Sequence, residues 1–452
     1  MKDLFLNKEQ VKVHFVGVGG ISTSALAEHL FLSGYTVSGS DLTKNSQTEK
    51  LKKLGVTVFT GHSENNLNTP DLVVYSSAIK SDNPELKSGA KTISRSQLLG
   101  KIVKGYSKSV GISGSHGKTT ATAMLSKILI ESKKDPTVFL GGEDLDYGNY
   151  RKGESKYAVV ECCEYARSFL DIKPKIVVVL NVDNDHLDTY KDMKGVISAF
   201  KQFVGENLAV INADDKYCYQ LSNCTTVTFG TNNSATYSAK NLKKEKDGYS
   251  FNAYAYSRNY GKIRLNVKGK HNVYNALSAF ATADLMGIPF ADIKKGLESF
   301  YGVKRRNEYL GEYGDKKWYA DYAHHPKEII ATLNAFREDG EEFITVFQPH
   351  TYSRTRILEK DFISALKNTG DLIIYKTYPA REKYDKKGSA KTLAEKIINA
   401  GKRNCEYAHT RKELFEKILT VKAPKVLVLG AGDIYEITKK KTFYAKVKKS
   451  KK

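Results

Sequence analysis

Gly111-Ile-Ser113-Gly114-Ser115-His116-Gly117-Lys118-Thr119-Thr120 is the stretch that decides the fold. The apolar run Ser109-Val110-Gly111-Ile112 leads into it, and a helical pattern near Thr119–Ser132 follows. Strand, glycine loop and helix in that order predict a phosphate-binding turn of an α/β domain. Glycines let backbone N–H groups converge on phosphate oxygens, and the helix adds the positive end of its dipole. Lys118 supplies a point charge for the β- and γ-phosphates, and the Thr119 hydroxyl suits Mg²⁺. The spacing is not the ordinary Walker pattern, because Ile112 stands where that pattern has its first glycine.

Toward the N-terminus, Val11–Val16 runs into Gly17-Val18-Gly19-Gly20 and then an apolar-periodic stretch, Ser24 to Leu32. This is a second strand, glycine turn and helix. Thr36–Ser38, Val56–Phe59 and Leu72–Ser76 read as further strands. Ser22 replaces the third glycine of the dinucleotide fingerprint, and Asp41 lies where an acid would meet a ribose. A nucleotide-diphosphate site, a nicotinamide site and a plain tight turn are all open readings of this loop.

Toward the C-terminus, strands are predicted at Tyr157–Glu161, Ile176–Asn181 and Leu208–Asn212. From Cys224 to Val267 the short runs Thr225–Phe229, Tyr249–Tyr256 and Lys262–Val267 predict antiparallel hairpins, followed by an alanine-rich helix, Asn272–Met286. After Tyr301-Gly302-Val303, strands at Lys317–Ala320, Phe343–Phe347, Asp371–Tyr375 and Val426–Leu429 alternate with helical pattern. Strands alternating with helices imply parallel sheets. The expected architecture is α/β with three domains, 1–104, 105–303 and 304–438, the middle one carrying a small antiparallel section. Residues 439–452 form a lysine-rich tail.

Composition bounds the function. Apolar residues make up 40% of 452, enough for several cores and too many for a disordered chain. No apolar run approaches the ~20 residues of a membrane span. The N-terminus has no signal-peptide h-region. Five cysteines, an odd number with no Cys-x-x-Cys, fit a reducing cytoplasm. The adjacent Cys162 and Cys163 read as small buried thiols. The formal net charge is +22, and the tail holds eight lysines and no acid. Such charge attracts nucleic acid, anionic lipid or anionic small substrates. A nucleic-acid-binding P-loop protein is thus one rival reading, although no basic motif interleaved with aromatics supports it.

Other chemistry-bearing residues cluster at predicted strand ends. Glu161-Cys-Cys-Glu164 ends one strand, and Asp183-Asn-Asp185-His186-Leu-Asp188 follows another. Carboxylate and imidazole there could hold a metal bridging the γ-phosphate and an attacking oxygen. Asp321-Tyr322-Ala-His324-His325-Pro326 and Gln348-Pro-His350-Thr-Tyr352-Ser-Arg354 suit a carboxylate or a transferring phosphoryl group. A zinc site on His324, His325 and His350 is the runner-up.

Taken in order, these loops, with His271-Asn272-x-x-Asn275-Ala, Gly-Val-Lys-Arg305-Arg306, Phe-Gln-Pro-His350 and Gly430-Ala-Gly-Asp433-Ile, resemble the Mur ligases of peptidoglycan synthesis. The likeness runs from about Lys12 to Ile434 and excludes the tail. It implies a Rossmann-like UDP-binding N-terminal domain, a central ATPase and a Rossmann-like C-terminal domain. It implies ATP- and Mg²⁺-dependent amide bond formation through an acyl phosphate. The paired histidines and Phe-Gln-Pro-His are those of the alanine-adding branch, so UDP-N-acetylmuramate and L-alanine are the implied substrates. A sibling that attaches a murein tripeptide is the alternative within the family. By the same resemblance Lys118 is the phosphate lysine, Thr119 a metal ligand, and Glu161 with His186 the second metal pair. Glu164 is the alternative to Glu161. Asn149, His271, Asn272, Asn275, Arg306 and Asp321 match positions around ATP. Tyr322, His324, His350 and Arg354 match the region receiving the amino acid and phosphoryl group. Gly17, Gly19, Gly20, Ser24, Asp41, His62 and Ser77 match positions near the UDP moiety. Thr351 stands where some relatives have arginine, and Ala320 where many have aspartate. The expected protein is a cytoplasmic monomer or homodimer without a specific nucleic-acid partner. Its tail is either inert or a weak tether to an anionic membrane surface.

Overall fold

A computed structural model describes residues 11–439 except Ser88, 184–186, Asn233, Gly314, Asp339 and Arg381; the side chains of 187 and 188 are likewise not described. His186 and the tail beyond Lys439 therefore lie outside the described residues. Three sheets organise the chain, each an alternation of strands and helices.

The first sheet has the order β3-β2-β1-β4-β5, with β1 Lys12–Val16, β2 Thr36–Asp41, β3 Thr57–Thr60, β4 Leu72–Tyr75 and β5 Thr92–Ser94. All its pairs are parallel. The order reverses between β1 and β4, which opens a crevice at the carboxyl ends of those strands. The glycine turn after β1 sits at that crevice.

The second sheet has ten strands in the order β15-β14-β13-β12-β11-β10-β6-β9-β7-β8. Their ranges are β6 Lys108–Ser113, β7 Thr137–Asp144, β8 Gly148–Arg151, β9 Tyr157–Glu161, β10 Ile176–Val179, β11 Leu208–Asn212, β12 Thr226–Gly230, β13 Tyr237–Glu245, β14 Gly248–Ala255 and β15 Arg258–Arg264. The predicted hairpin character of Thr225–Phe229 is corrected here. β12 pairs parallel with both β11 and β13, and the antiparallel pairing resolved in this section is β14 with β15. The chain returns from β11 through a crossover containing the short turn Cys218–Leu221, so β12 enters in the same direction as β11. Polar alternation alone could not reveal that reversal, because edge strands of either sense expose one face.

The third sheet has the order β16-β17-β21-β18-β19-β20, with β16 Glu308–Tyr313, β17 Lys316–Asp321, β18 Phe343–Phe347, β19 Leu372–Tyr375, β20 Cys405–Ala408 and β21 Lys425–Leu429. Only β16 runs antiparallel, at the edge beside β17. Buried apolar clusters cover both faces of this sheet, as parallel strands require.

The chain divides into two compact units, the first holding the N-terminal and central sheets and the second the C-terminal sheet. Within the first unit a glycine sets the packing. The helix Arg95–Lys104 follows β5 behind a Ser94/Gln97 capping box. A Cβ at Gly100 of this helix would lie 2.1 Å from the Asp171 carbonyl oxygen. The obstacle is backbone, which cannot rotate away. Gly100→Ala is therefore expected to lower stability by about 2–3 kcal/mol, the overpacking range, measured by urea unfolding. A change under 0.5 kcal/mol, the usual bound for surface substitutions, would mean that the helix and the Asp171 segment separate freely.

Candidate active site

The glycine turn after β1 is held by β2. Gly17 N and Val18 N both donate to Ser40 O at 2.9 Å, and Gly19 N donates to Asp41 Oδ2 at 2.9 Å. A Cβ at Gly19 would sit 2.6 Å from Asn45 Nδ2 and 2.9 Å from Asp41 Oδ2, so a side chain there would displace these two groups. The other Asp41 oxygen accepts from Thr43 N at 3.2 Å. Asp41 thus braces the turn through Oδ2 and its own following loop through Oδ1. Ser77 is exposed just beyond β4, and the neighbouring Ile79 lies against Gly17. His62 is placed close by, through Ser40.

Ser24 and Asn149 come together. Asn149 Nδ2 donates to Ile21 O at 2.7 Å and to Ser24 Oγ at 2.9 Å, and Lys50 Nζ donates to Asn149 Oδ1 at 3.3 Å. Gln47 Nε2 reaches Glu143 Oε1 at 2.6 Å beside them. The Asn149 amide joins the β7–β8 hairpin to the first glycine turn and its helix.

The phosphate loop is fastened to the exit of β10. Ser115 N donates to Asn181 O at 3.1 Å, His116 N to Asn181 Oδ1 at 2.8 Å, and Asn181 Nδ2 to His116 O at 3.0 Å. Asp183 N donates to Ser115 Oγ at 2.8 Å, and His116 Nε2 lies 3.3 Å from Asp183 Oδ2. Gly117 takes φ +86°, and a Cβ there would meet Asn275 Oδ1 at 2.5 Å. Asn275 is fixed in turn by a 2.9 Å bond from its Nδ2 to Asn272 Oδ1. The helix Lys118–Glu131 starts at Gly117 with no side-chain cap, leaving first-turn N–H groups for an anion. Ser113 Oγ is buried without a hydrogen-bond partner among the described residues. An orphaned donor inside a glycine cradle is what an incoming phosphate would satisfy.

Lys118 Nζ donates to Gly114 O at 2.6 Å, Ser115 O at 3.1 Å and Glu164 Oε1 at 3.1 Å. Burial works to lower its pKa, but Glu164, together with Glu161, outweighs it and the ammonium stays charged. Cys163 beside it is pushed up to about 11, mainly by burial, and remains a thiol. Thr119 and Glu161 converge on two adjacent glycines of β7. A Cβ at Gly142 would meet Thr119 Cγ2 at 2.8 Å, and one at Gly141 would meet Glu161 Oε1 at 2.4 Å. Gly141 N also donates to Glu161 Oε2 at 2.9 Å. Among the described residues no three His, Cys, Asp or Glu side chains form a metal cluster. A hydroxyl and one carboxylate, completed by phosphate oxygens and water, still suit Mg²⁺, which retains several waters and prefers few protein ligands. Glu164 is paired with Lys118 instead. His271 falls with the second unit, its ring against Gly269.

In the second unit Asp321 ends β17, 6% exposed, and accepts from Asn307 N and Ala323 N at 2.8 Å each. Burial raises its pKa, with Arg306 opposing. The guanidinium carbons of Arg305 and Arg306 lie 4.7 and 5.2 Å from the Tyr322 ring centre. The ring of Tyr322 meets that of His324 at 5.2 Å, His324 meets His350 at 5.9 Å, and His350 stacks on Tyr378 at 5.5 Å. His325 does not join them. Its Nδ1 accepts from Lys327 N at 3.4 Å as the cap of the helix Pro326–Arg337, so the three histidines do not form one ligand set. His350 Nδ1 and Arg354 Nη1 are buried with no hydrogen-bond partner among the described residues. Each such orphan costs ~1–3 kcal/mol until something fills it.

His324 and His350 are both pushed down to about 4, chiefly by burial, with Arg354 adding to it. They are neutral at pH 7. Their folded values lie below the ordinary 6.5, so between about 4 and 6.5 the unfolded chain binds more protons. Stability must then fall as pH falls through that window. A melting series from pH 7 to 4.5 should show a steeper drop for the native chain than for His324→Gln/His350→Gln. Parallel curves would mean that the rings titrate normally.

Three family profiles match the chain: Mur ligase family, catalytic domain, over residues 12–107; Mur ligase middle domain over 112–283; and Mur ligase, glutamate ligase domain, over 305–433. The chain is 43% identical over 442 residues to UDP-N-acetylmuramate–L-alanine ligase of Acetivibrio thermocellus, covering 94% of each. It is 40% identical over 452 residues to the Clostridium novyi protein of the same name, covering 96% of this chain and 97% of the other. The crystal structure of UDP-N-acetylmuramate-alanine ligase from Thermotoga maritima superposes with a TM-score of 0.83 at 30% identity, covering 98% and 100%. A murein peptide ligase from Psychrobacter arcticus, 22% identical with a TM-score of 0.72, covers 97% and 98% and shares the fold.

Proposed function

The chain belongs to the Mur ligase family, and on that premise we propose that it joins L-alanine to UDP-N-acetylmuramate as ATP is cleaved to ADP and phosphate. The observation that carries this reading is the Lys118 ammonium, held at a glycine cradle by Gly114 O, Ser115 O and Glu164. The high identity to alanine-adding relatives over nearly the whole chain selects the substrates.

The sugar carboxylate attacks the γ-phosphorus, the bond to the ADP oxygen breaks, and an acyl phosphate forms. The alanine amine then attacks the acyl carbon and phosphate leaves, the amine giving up a proton. Both steps bring anions together, so positioning and charge neutralisation matter more than covalent help. Lys118 and the loop N–H groups hold the phosphates. Thr119 and Glu161, with His186, would hold Mg²⁺, which supplies charge neutralisation between the phosphates and the entering oxygen. The rings of His324 and His350, kept neutral by burial, sit beside Arg354, which receives an anionic group, carboxylate or phosphoryl. The first glycine turn with His62 takes the UDP moiety. A cytoplasmic location accords with nucleotide substrates, and among the described residues no helix is long and apolar enough to cross a membrane.

Phosphate release by the purified protein tests this. Release is expected only when ATP, Mg²⁺, UDP-N-acetylmuramate and L-alanine are all present. Release with a murein tripeptide but not with alanine would move the chain to the recycling branch.

A further inference from the structure

The deepest charge in the N-terminal sheet is Glu85, a residue with no part in the site as read from sequence. It lies in the short turn Pro84–Leu86 and is 0% exposed. Ser40 Oγ donates to its Oε2 at 2.5 Å, and His62 Nδ1 lies 3.2 Å from the same oxygen. Asn66 Nδ2 and Ser63 N donate to Oε1 at 2.6 and 3.2 Å. The fully buried His14 approaches from β1, its Nε2 3.7 Å away. Burial alone would push this carboxyl up, yet the nearby His14 ring and the bonds from Ser40, Asn66 and Ser63 hold it down to about 2. Burying an ionised carboxylate is costly unless every lone pair is engaged, and here four elements engage it.

What the cluster holds is the substrate crevice. Ser40 is the junction. Its carbonyl oxygen carries Gly17 N and Val18 N of the glycine turn. Its hydroxyl lies 2.8 Å from His62 Nδ1 and also bonds Glu85. With Nδ1 turned inward to Ser40 and Glu85, the ring edge bearing Nε2 is the one that can face a ligand. The side chain of His62 is 10% exposed, that of Glu85 0%. Fixing one ring nitrogen sets what the other can do, the arrangement seen where a carboxylate orients a working imidazole.

We propose that Glu85 is a positioning residue for the UDP moiety: through Ser40 and His62 Nδ1 it locks the His62 ring and the first glycine turn into one preformed receptor. The inference rests on the reading of this crevice as the UDP site. A ligand with a uridine or diphosphate group would meet His62 Nε2 beside a glycine turn whose own N–H groups are already bonded within the fold, so the two stand in fixed relation. Glu85 itself touches neither.

A double-mutant cycle on the full chain tests the coupling, with UDP as the calorimetric probe. Glu85→Gln keeps the volume and removes the charge. It should weaken UDP binding about tenfold in the native background and less than about twofold in a His62→Ala background, since residues in one network are non-additive. Steady-state kinetics should show the KM for the UDP-sugar acid raised, with kcat and the KM for ATP within about twofold. Equal tenfold losses in both backgrounds would overturn the proposal and leave Glu85 a packing residue. If Glu85→Gln fails to fold, the Ser40→Ala/His62→Ala cycle decides, with the same coupling expected and additivity contradicting it. UDP binding by the native chain without turnover would count against the ligase reading, while the cycle would still judge Glu85. No UDP binding by the native chain would sink both.

Discussion

Lys118→Ala should lower kcat by at least about 10³-fold, within the span seen when a charge partner of a transferring phosphoryl group is lost, while UDP affinity stays within about twofold. The Nζ is the one side-chain cation bonded to main-chain oxygens of the phosphate loop among the described residues. Developing charge on the γ-phosphoryl oxygens would lose its nearest counter-charge. The same change leaves Glu164 facing the loop without its 3.0 Å ion pair, so a negative charge would stand where phosphate must enter. Lys118→Ala/Glu164→Gln should therefore recover part of the ATP affinity but little of kcat. The crevice proposed for UDP belongs to the first sheet, held by Ser40 and Asp41, and among the described residues it shares no hydrogen bond with Lys118. Isothermal titration with UDP and a coupled ADP assay measure the two halves. Equal loss of UDP binding and turnover would contradict the assignment.

Arg354→Ala should lower kcat/KM for L-alanine by about 10²-fold or more, the loss typical of a buried charge partner removed from a reacting anion. Its Nη1 is buried with no hydrogen-bond partner among the described residues, close to His350, whose Nδ1 likewise has none there. Thr351 cannot supply a cation at the neighbouring position, and its hydroxyl lies 3.2 Å from Ser353 Oγ. Ser353 N in turn donates to Glu382 Oε2 at 2.8 Å. Arg354 is thus a guanidinium with a buried donor beside His350, able to meet an anion there. Lysine at this position should restore only part of the rate, since a point charge lacks the planar fork. If alanine kinetics are unchanged, the amino acid is held elsewhere.

The parts of this architecture that follow chain order were legible from residues. A strand running into glycines and then an apolar helix predicted both crevices, because that local pattern is dictated by backbone sterics and the helix terminus. What sequence could not show is which distant residues return to those loops. Asn181 clamps the phosphate loop from β10, and Gly141-Gly142 clears space for Thr119 and Glu161 from β7. Neither carries a local signal, since an asparagine after a strand or a pair of glycines reads as a turn. Glu85 was invisible for the same reason, as a lone acid after proline in a polar loop. The bond from Asn149 to Ser24, 125 residues apart, likewise had no local signal. The Thr226–Gly230 strand was misread because direction within a sheet is set by the crossover, not by the strand's own alternation. The +22 charge proved least informative. Only Lys118 and Arg354 enter the proposed chemistry, and of the eight tail lysines only Lys439 lies among the described residues.

Ligation through an acyl phosphate makes a specific demand on one oxygen atom. UDP-N-acetylmuramate labelled with oxygen-18 in its carboxylate, turned over with ATP and L-alanine, should yield inorganic phosphate carrying one labelled oxygen for each amide formed, read by mass spectrometry. Phosphate free of label, with amide product formed, would contradict phosphoryl transfer to the carboxylate and with it the role given to the Lys118 cradle.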